Sequence, residues 1–263
     1  MLQKFDALSP TEIAARTEQA SIEKANMPTG KTMVLAILAG AFISFGALFY
    51  TLVLTQSNLG FGPSRLLGGA AFSLGLVLVI VGGAELFTGN NLIVMAWADR
   101  KLSTRRLLRN WGLVYIGNFI GALATAGLIL LSGTFDIADG AVGETAVAVA
   151  TSKLNLPLEQ AFFRGILCNV LVCLAVWLCY AAHSVVDKII AIMLPISAFV
   201  ALGFEHSVAN MYVIPAAMMS GAIEMQIGAF LENLLVVTAG NIVGGGVLVA
   251  LVYWLVYISA WGK

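Results

Sequence analysis

The chain has 263 residues, of which 60% are hydrophobic and only 11% charged, and its fourteen basic and fourteen acidic side chains cancel to zero net charge. The charged fraction is under half the quarter typical of soluble domains, which excludes an ordinary water-soluble fold and puts the chain in a bilayer. Zero net charge identifies no partner by itself, and neither a nucleic acid nor a cofactor is expected.

Residues 1–31 are polar and the first apolar run already has spanning length, so no cleavable signal is expected. They read as a cytoplasmic N-terminal helical segment, followed by a transmembrane domain over 32–263. Ser9-Pro10-Thr11-Glu12 has N-cap, N1 and N3 residues in capping-box order, which predicts a solvated or interfacial helix over 10–26. Six apolar stretches follow at 33–54, 66–98, 110–132, 160–182, 188–219 and 232–259, each long enough for the roughly 20 residues of a spanning helix. The second and fifth are too long, and both carry Gly, Asn and a carboxylate in the middle. An uninterrupted lipid-facing helix disfavours that combination, so both are expected to be broken.

Lys and Arg placement sets the orientation. With the N-terminus inside, eleven basic residues face the cytoplasm, from Lys4 to Lys263, and only Arg65, Lys153 and Arg164 face out. The basic loop Arg100 to Arg109 reads as a topology anchor first and an anionic-lipid contact second. Cys168, Cys173 and Cys179 share the fourth span; the outer two stand about 16 Å apart along one helix, too far to pair, so all three read as packing. Metal-ligand spacings are absent.

The second and fifth stretches share a pattern, G-x-E-x-x-x-x-N, in Gly83 to Asn90 and in Gly203 to Asn210. The third and sixth share G-N-x-x-G, in Gly117 to Gly121 and in Gly240 to Gly244. The offsets, 120 and 123 residues, are nearly constant. Three spans per half make the halves insert with opposite orientation, so the expectation is two inverted repeats, about 32–132 and 158–260. Interrupted segments at corresponding positions of such repeats point to the substrate path.

Polar groups at membrane depth must face protein or water. Glu85, Asn90, Asn118, Asn169, Glu205, His206, Asn210 and Asn241 are therefore expected to point inward. Glu85 and Glu205, with Asn90 and Asn210, read as loop-stabilising, the carboxylates accepting backbone N–H groups freed by the breaks. The G-N-x-x-G glycines read as close-packing devices. His206 lies in a break, whereas His183 lies at a span end where water explains it, so His206 is the functional candidate.

Gly203-Phe204-Glu205-His206-Ser207-Val208-Ala209-Asn210-Met211, Ala84-Glu85-Leu86-Phe87-Thr88-Gly89, Arg164-Gly165-Ile166-Leu167-Cys168-Asn169 and Asn233 to Asn241 together resemble the formate/nitrite transporters, over nearly the whole chain from the first span onward. The resemblance implies an all-α, aquaporin-like membrane fold with six spans per protomer, the second and fifth broken. It also implies a homopentamer in the bacterial inner membrane, one pore per protomer, and membrane lipid as a contact. It implies Thr88 facing His206, constrictions lined by Phe72, Leu76, Leu86, Phe87 and Phe199, and Lys153 and Asn169 drawing the anion in from the outer side. The segment from Gly221 to Glu232 is shorter than in the family's formate channels.

The residues agree with such a pore. Apolar rings exclude hydrated ions, and the conjugate base of a weak acid can avoid the desolvation cost by taking a proton, which His206 is suited to lend. Formate ranks first through the resemblance; nitrite, hydrosulfide and lactate remain alternatives. Rivals from other classes lack their marks. No Asn-Pro turn of a water channel occurs, the two histidines do not form an ammonium-channel pair, and Ser207 beside His206 has no G-x-S-x-G elbow, so no enzyme is expected.

Overall fold

A computed structural model describes residues 8–259; Lys4 and Lys263 of the charge count lie outside the described residues. All regular structure among these residues is helical. Helix α1 (Pro10–Asn26) opens with the expected capping box, Ser9 accepting the Glu12 N–H and the Glu12 carboxylate accepting the Ser9 N–H. It is followed by α2 (Thr29–Leu54), α3 (Phe61–Gly82), a 3₁₀ segment at Gly89–Ile93 continuing as α4 (Val94–Ala98), and α5 (Thr104–Leu131). Then come α6 (Ala141–Leu154), α7 (Leu158–Ala181), α8 (Val185–Ala201), α9 (Ser207–Met219), and α10 (Ile227–Ile242), which runs through a π-helical segment, Val243–Leu251, into α11 (Val252–Tyr257).

Among the described residues five helices are long and apolar enough to cross a membrane: α2, α3, α5, α7 and the continuous run Ile227–Tyr257. The expected fifth span is divided between α8, 17 residues, and α9, 13 residues. Likewise the expected second span stops at Gly82.

Both breaks are made the same way. Gly83 (φ +82°) and Gly203 (φ +73°) adopt left-handed backbone, which glycine enters without a Cβ penalty. The next residues, Ala84 and Phe204, donate back to the Val79 and Phe199 carbonyls at 2.9 and 3.0 Å, closing each helix end. The chain then leaves the helix axis, and the Glu85 and Glu205 N–H groups cross to carbonyls of Leu35 on α2 and Arg164 on α7, at 3.2 and 3.3 Å.

The G-N-x-x-G glycines hold helices at contact. A Cβ on Gly121 would collide with the Ile37 carbonyl of α2, and one on Gly244 with the Ile166 carbonyl of α7. In a bilayer such close approach, rather than exclusion of water, is what associates helices.

Two features differ from the sequence reading. Helix α1 is not solvated: Ile13, Ala14, Thr17, Ser21 and Ala25 are buried, and Ser21 Oγ lies 3.3 Å from the Leu92 carbonyl of the 3₁₀ segment. Ile13, Ala14 and Ala25 join an apolar cluster with Leu92, Ile93 and Trp177, while Glu18 and Lys24 pair with charged side chains of the body. The basic loop after α4 also serves α1 directly. Lys101 pairs with Glu18, Arg106 donates to Asn26 Oδ1 at 2.6 Å, and Arg109 donates to Thr29 Oγ1, at the start of α2, at 2.7 Å, so these side chains have protein partners.

Candidate functional site

Each break is built around a ring of four hydrogen bonds. In the first, Lys24 Nζ stands 2.6 Å from Glu85 Oε1, and Asn90 Nδ2 donates to Glu85 Oε2 at 2.7 Å and to Asn110 Oδ1 at 3.0 Å. Asn110 Nδ2 closes the ring on the Lys24 carbonyl at 3.1 Å. In the second, Lys153 Nζ stands 2.9 Å from Glu205 Oε1, and Asn210 Nδ2 donates to Glu205 Oε2 at 2.7 Å and to Asn233 Oδ1 at 2.9 Å. Asn233 Nδ2 returns to the Lys153 carbonyl at 3.1 Å. A buried carboxylate survives only if paired and hydrogen-bonded, and both are.

The carboxylates do not take the freed backbone N–H groups expected of them; two asparagines do. Asn118 Oδ1 accepts the Phe87 N–H at 2.9 Å while its Nδ2 donates to the Ala36 and Glu85 carbonyls at 2.7 and 2.9 Å. Asn241 Oδ1 accepts the Ser207 N–H at 2.9 Å while its Nδ2 donates to the Gly165 and Glu205 carbonyls at 2.8 and 3.0 Å. A neutral amide supplies donor and acceptor together, which a carboxylate cannot. Sequence reasoning missed Lys24, Asn110 and Asn233, although a signal existed, since Asn110 and Asn233 each precede the G-N-x-x-G asparagine by eight residues.

The two breaks meet at His206. Its Nε2 lies 3.0 Å from Thr88 Oγ1 and its Nδ1 accepts the Ala209 N–H at 3.1 Å, so the imidazole is also the N-cap of α9. The Ala209 bond leaves the proton of a neutral ring on Nε2, directed at Thr88. Asn169 lies beneath this pair, its Nδ2 within reach of the Thr88 carbonyl (3.3 Å), Asn91 Oδ1 (3.0 Å) and the Asn241 carbonyl (2.7 Å). It therefore staples the two broken segments.

Two cavities approach this junction from opposite ends. One, about 460 Å³, is bordered by α1 and by Leu76, Leu86, Glu85 and Lys188. The other, about 370 Å³, is bordered by α6 and by Phe72, Phe199, Lys153 and His206. Phe72 and Leu76 are one turn, about 6 Å, apart on α3, so little more than one apolar layer separates the cavities. The rings of Phe72 and Phe199 meet edge to face at 5.5 Å, and Phe199 stacks on His206 at 6.0 Å.

Three of the expected lining residues border neither cavity: Thr88 is fully buried and faces the α6-side cavity only through His206, and two others stand elsewhere. Phe87 packs its ring against Tyr115 and Trp111 of α5 and borders neither cavity, because Asn118 pulls its backbone toward that helix. Asn169 is fully buried and borders neither. Lys153 does border the α6-side cavity, but bound to Glu205 rather than free.

Apolar helices, two of them interrupted at corresponding motifs, with two cavities separated by an apolar layer beside a buried histidine–threonine pair, define a membrane transport protein. Residues 11–255 match the formate/nitrite transporter family, and the chain belongs to that family. It is 41% identical to the formate channel FocA of Escherichia coli K12, over 97% of this chain and 96% of that one. It is 38% identical to a probable formate transporter of Methanothermobacter thermautotrophicus, over 95% and 97%. Among solved structures it resembles a pentameric formate channel with formate bound (TM-score 0.80, 40% identity, 88% of this chain and 98% of that one). It also resembles an FNT family ion channel (TM-score 0.84, 30% identity, 93% and 98%).

Proposed function

We propose that the protein conducts formate across the bacterial inner membrane, through one pore in each protomer of a homopentamer, with the α1 side and both termini cytoplasmic. The observation that carries this reading is the Thr88–His206 pair at the point where two cavities converge on an apolar layer. The matched hydrogen-bond rings support the reading of the chain as two inverted three-helix repeats, with α8 and α9 forming one broken span and α3 and α4 the other. Relatives named for formate support the substrate.

In this reading Phe72 and Phe199 form the barrier on one side and Leu76 and Leu86 the barrier on the other, because a hydrated anion pays for its water there. His206 and Thr88 offer hydrogen bonds at the junction. His206, once it has taken a proton from the aqueous side, passes a proton to the anion and returns to the neutral ring, and the anion then crosses the apolar layer as the neutral acid. Glu85, Asn90, Glu205 and Asn210 hold the loops, and Asn169 positions Thr88 rather than meeting the anion.

The test is uptake of formate, nitrite, hydrosulfide and lactate by purified protein in liposomes over a range of pH. Saturable formate uptake exceeding that of lactate is expected, rising as the medium is acidified. A protein that admits no formate at any pH overturns the substrate, and formate flux independent of pH overturns the proton transfer.

A further inference from the structure

The ion pair with Glu205 neutralises Lys153, the cation expected to draw anions into the α6-side cavity. Two other cations border the same cavity without such a partner. Arg65, on α3, donates from Nε to the Ala201 carbonyl at 3.0 Å and from Nη2 to the Val200 carbonyl at 3.1 Å. Arg164, on α7, donates from Nη1 to the Gly203 carbonyl at 3.4 Å and from Nη2 to Gln160 Oε1 at 3.3 Å. Among the described residues neither guanidinium has a carboxylate within ion-pair distance.

The two converge. A Cβ built on Gly203 would stand 2.9 Å from Arg65 Nη2 and 3.8 Å from Arg164 Nη1, so groups from two different helices reach the same point. Like charges brought this close repel, and the partial negative charge at the C-terminal end of α8 offsets only part of that cost. Beyond these bonds and one from Arg65 Nη1 to Tyr50 Oη, N–H groups of both guanidiniums remain for a ligand.

We propose that Arg65 and Arg164 form the anion-recruiting site of the α6-side cavity, taking a small planar oxyanion with two oxygens before it reaches His206. Forked guanidinium donors match two-oxygen anions such as a carboxylate or nitrite, where an ammonium offers only a point charge. The site rests on the transport function proposed above. It assigns recruitment to a pair of residues that the ion-pairing of Lys153 leaves as the uncompensated charges at that mouth.

Arg164→Gln removes one charge while leaving Arg65 bound to the carbonyls at the end of α8, and Arg164→Lys keeps the charge without the fork. Equilibrium binding of radiolabelled formate and of nitrite is read on the solubilised full-length protein, and initial flux of both in liposomes at low and high salt. Arg164→Gln is expected to raise the half-saturating concentration by about three- to tenfold at low salt, by less at high salt, and by more than it lowers maximal flux. The lysine variant recovers part of the loss. A parent that conducts neither anion overturns the proposed function. Parental half-saturation in Arg164→Gln for both anions, a fall in maximal flux alone, or a parent with no saturable binding of either overturns the arginine site.

Discussion

Thr88 Oγ1 and His206 Nε2 lie 3.0 Å apart where the two broken helices meet, while the other nitrogen of the same imidazole caps α9 through the Ala209 N–H. An imidazolium carries a proton on both nitrogens, so a His206 that lends a proton must give up its cap during the exchange. His206→Asn removes titration but keeps a good N-cap; His206→Phe removes both, adding about 1 kcal/mol of helix destabilisation. Both variants are expected to lose the pH dependence of formate flux near neutrality, with Asn conducting more than Phe. Flux through the Asn variant with the parent's full pH profile would reduce His206 to a cap.

Asn118 and Asn241 each make three buried hydrogen bonds to main-chain groups of a break. Asn118→Ala and Asn241→Ala each strand those groups, at about 1–3 kcal/mol. Thermal unfolding in detergent should fall in both variants by similar amounts, with lower flux. A variant that melts with the parent would show that the breaks hold without this amide.

In the proposed pore, the edge-to-face contact of Phe72 and Phe199 would make the α6-side barrier steric. Phe72→Ala or Phe199→Ala should raise lactate flux relative to formate by about tenfold, the scale on which a pocket discriminates a few carbons. Unchanged ratios in both would remove the two rings from selectivity.

A cluster outside the membrane ties α1 to the body. Burial pushes the Glu18 carboxyl up against the pull of Lys101, whereas Lys101 is itself raised by its bond to Glu18. The asymmetry follows exposure, since Glu18 is buried and Lys101 half open to water. Burial also acts to raise Asp99, but the Trp254 indole N–H and Lys101 outweigh it and hold it low. Lys101 therefore stabilises the fold at all pH below its ordinary value and stops doing so as pH climbs through its raised one. Asp99 contributes above its ordinary value and is lost in acid. Glu18 penalises the fold as pH rises past its ordinary value. Glu18→Gln should thus cost little or nothing at neutral pH, while Lys101→Met, leaving the carboxylate uncompensated, costs about 1–3 kcal/mol. The double variant should recover most of that loss in thermal unfolding; additive losses would refute the coupling.

The breaks were legible because their chemistry is local: Gly83 and Gly203 need left-handed backbone, and Glu85 and Glu205 need partners inside a bilayer. His206 opposite Thr88 came through the family resemblance, and its geometry matches. What escaped was tertiary. Ala141–Leu154 is rich in Ala and Val and too short to span, so this helix left no mark among the six apolar stretches. In the π segment Val243–Leu251, Gly245 lies against Asn169 and Cys173, contacts with no periodic signature. Lys24 read as a cytoplasmic charge and Lys153 as an unpaired cation drawing in the anion, because their carboxylates lie 61 and 52 residues further along the chain.

That spacing bears on how the chain is made. In each half the ammonium is synthesised before the carboxylate it neutralises, and the amide that clamps the loop emerges afterwards, at Asn118 or Asn241. Glu85 therefore never waits for the second half of the protein: Lys24, Asn90, Asn110 and Asn118 all come from the first. The ribosome can hand over each broken helix with its charge already matched, while the contacts that join the halves, Thr88 with His206 and Asn169 with Thr88 among them, must await the second.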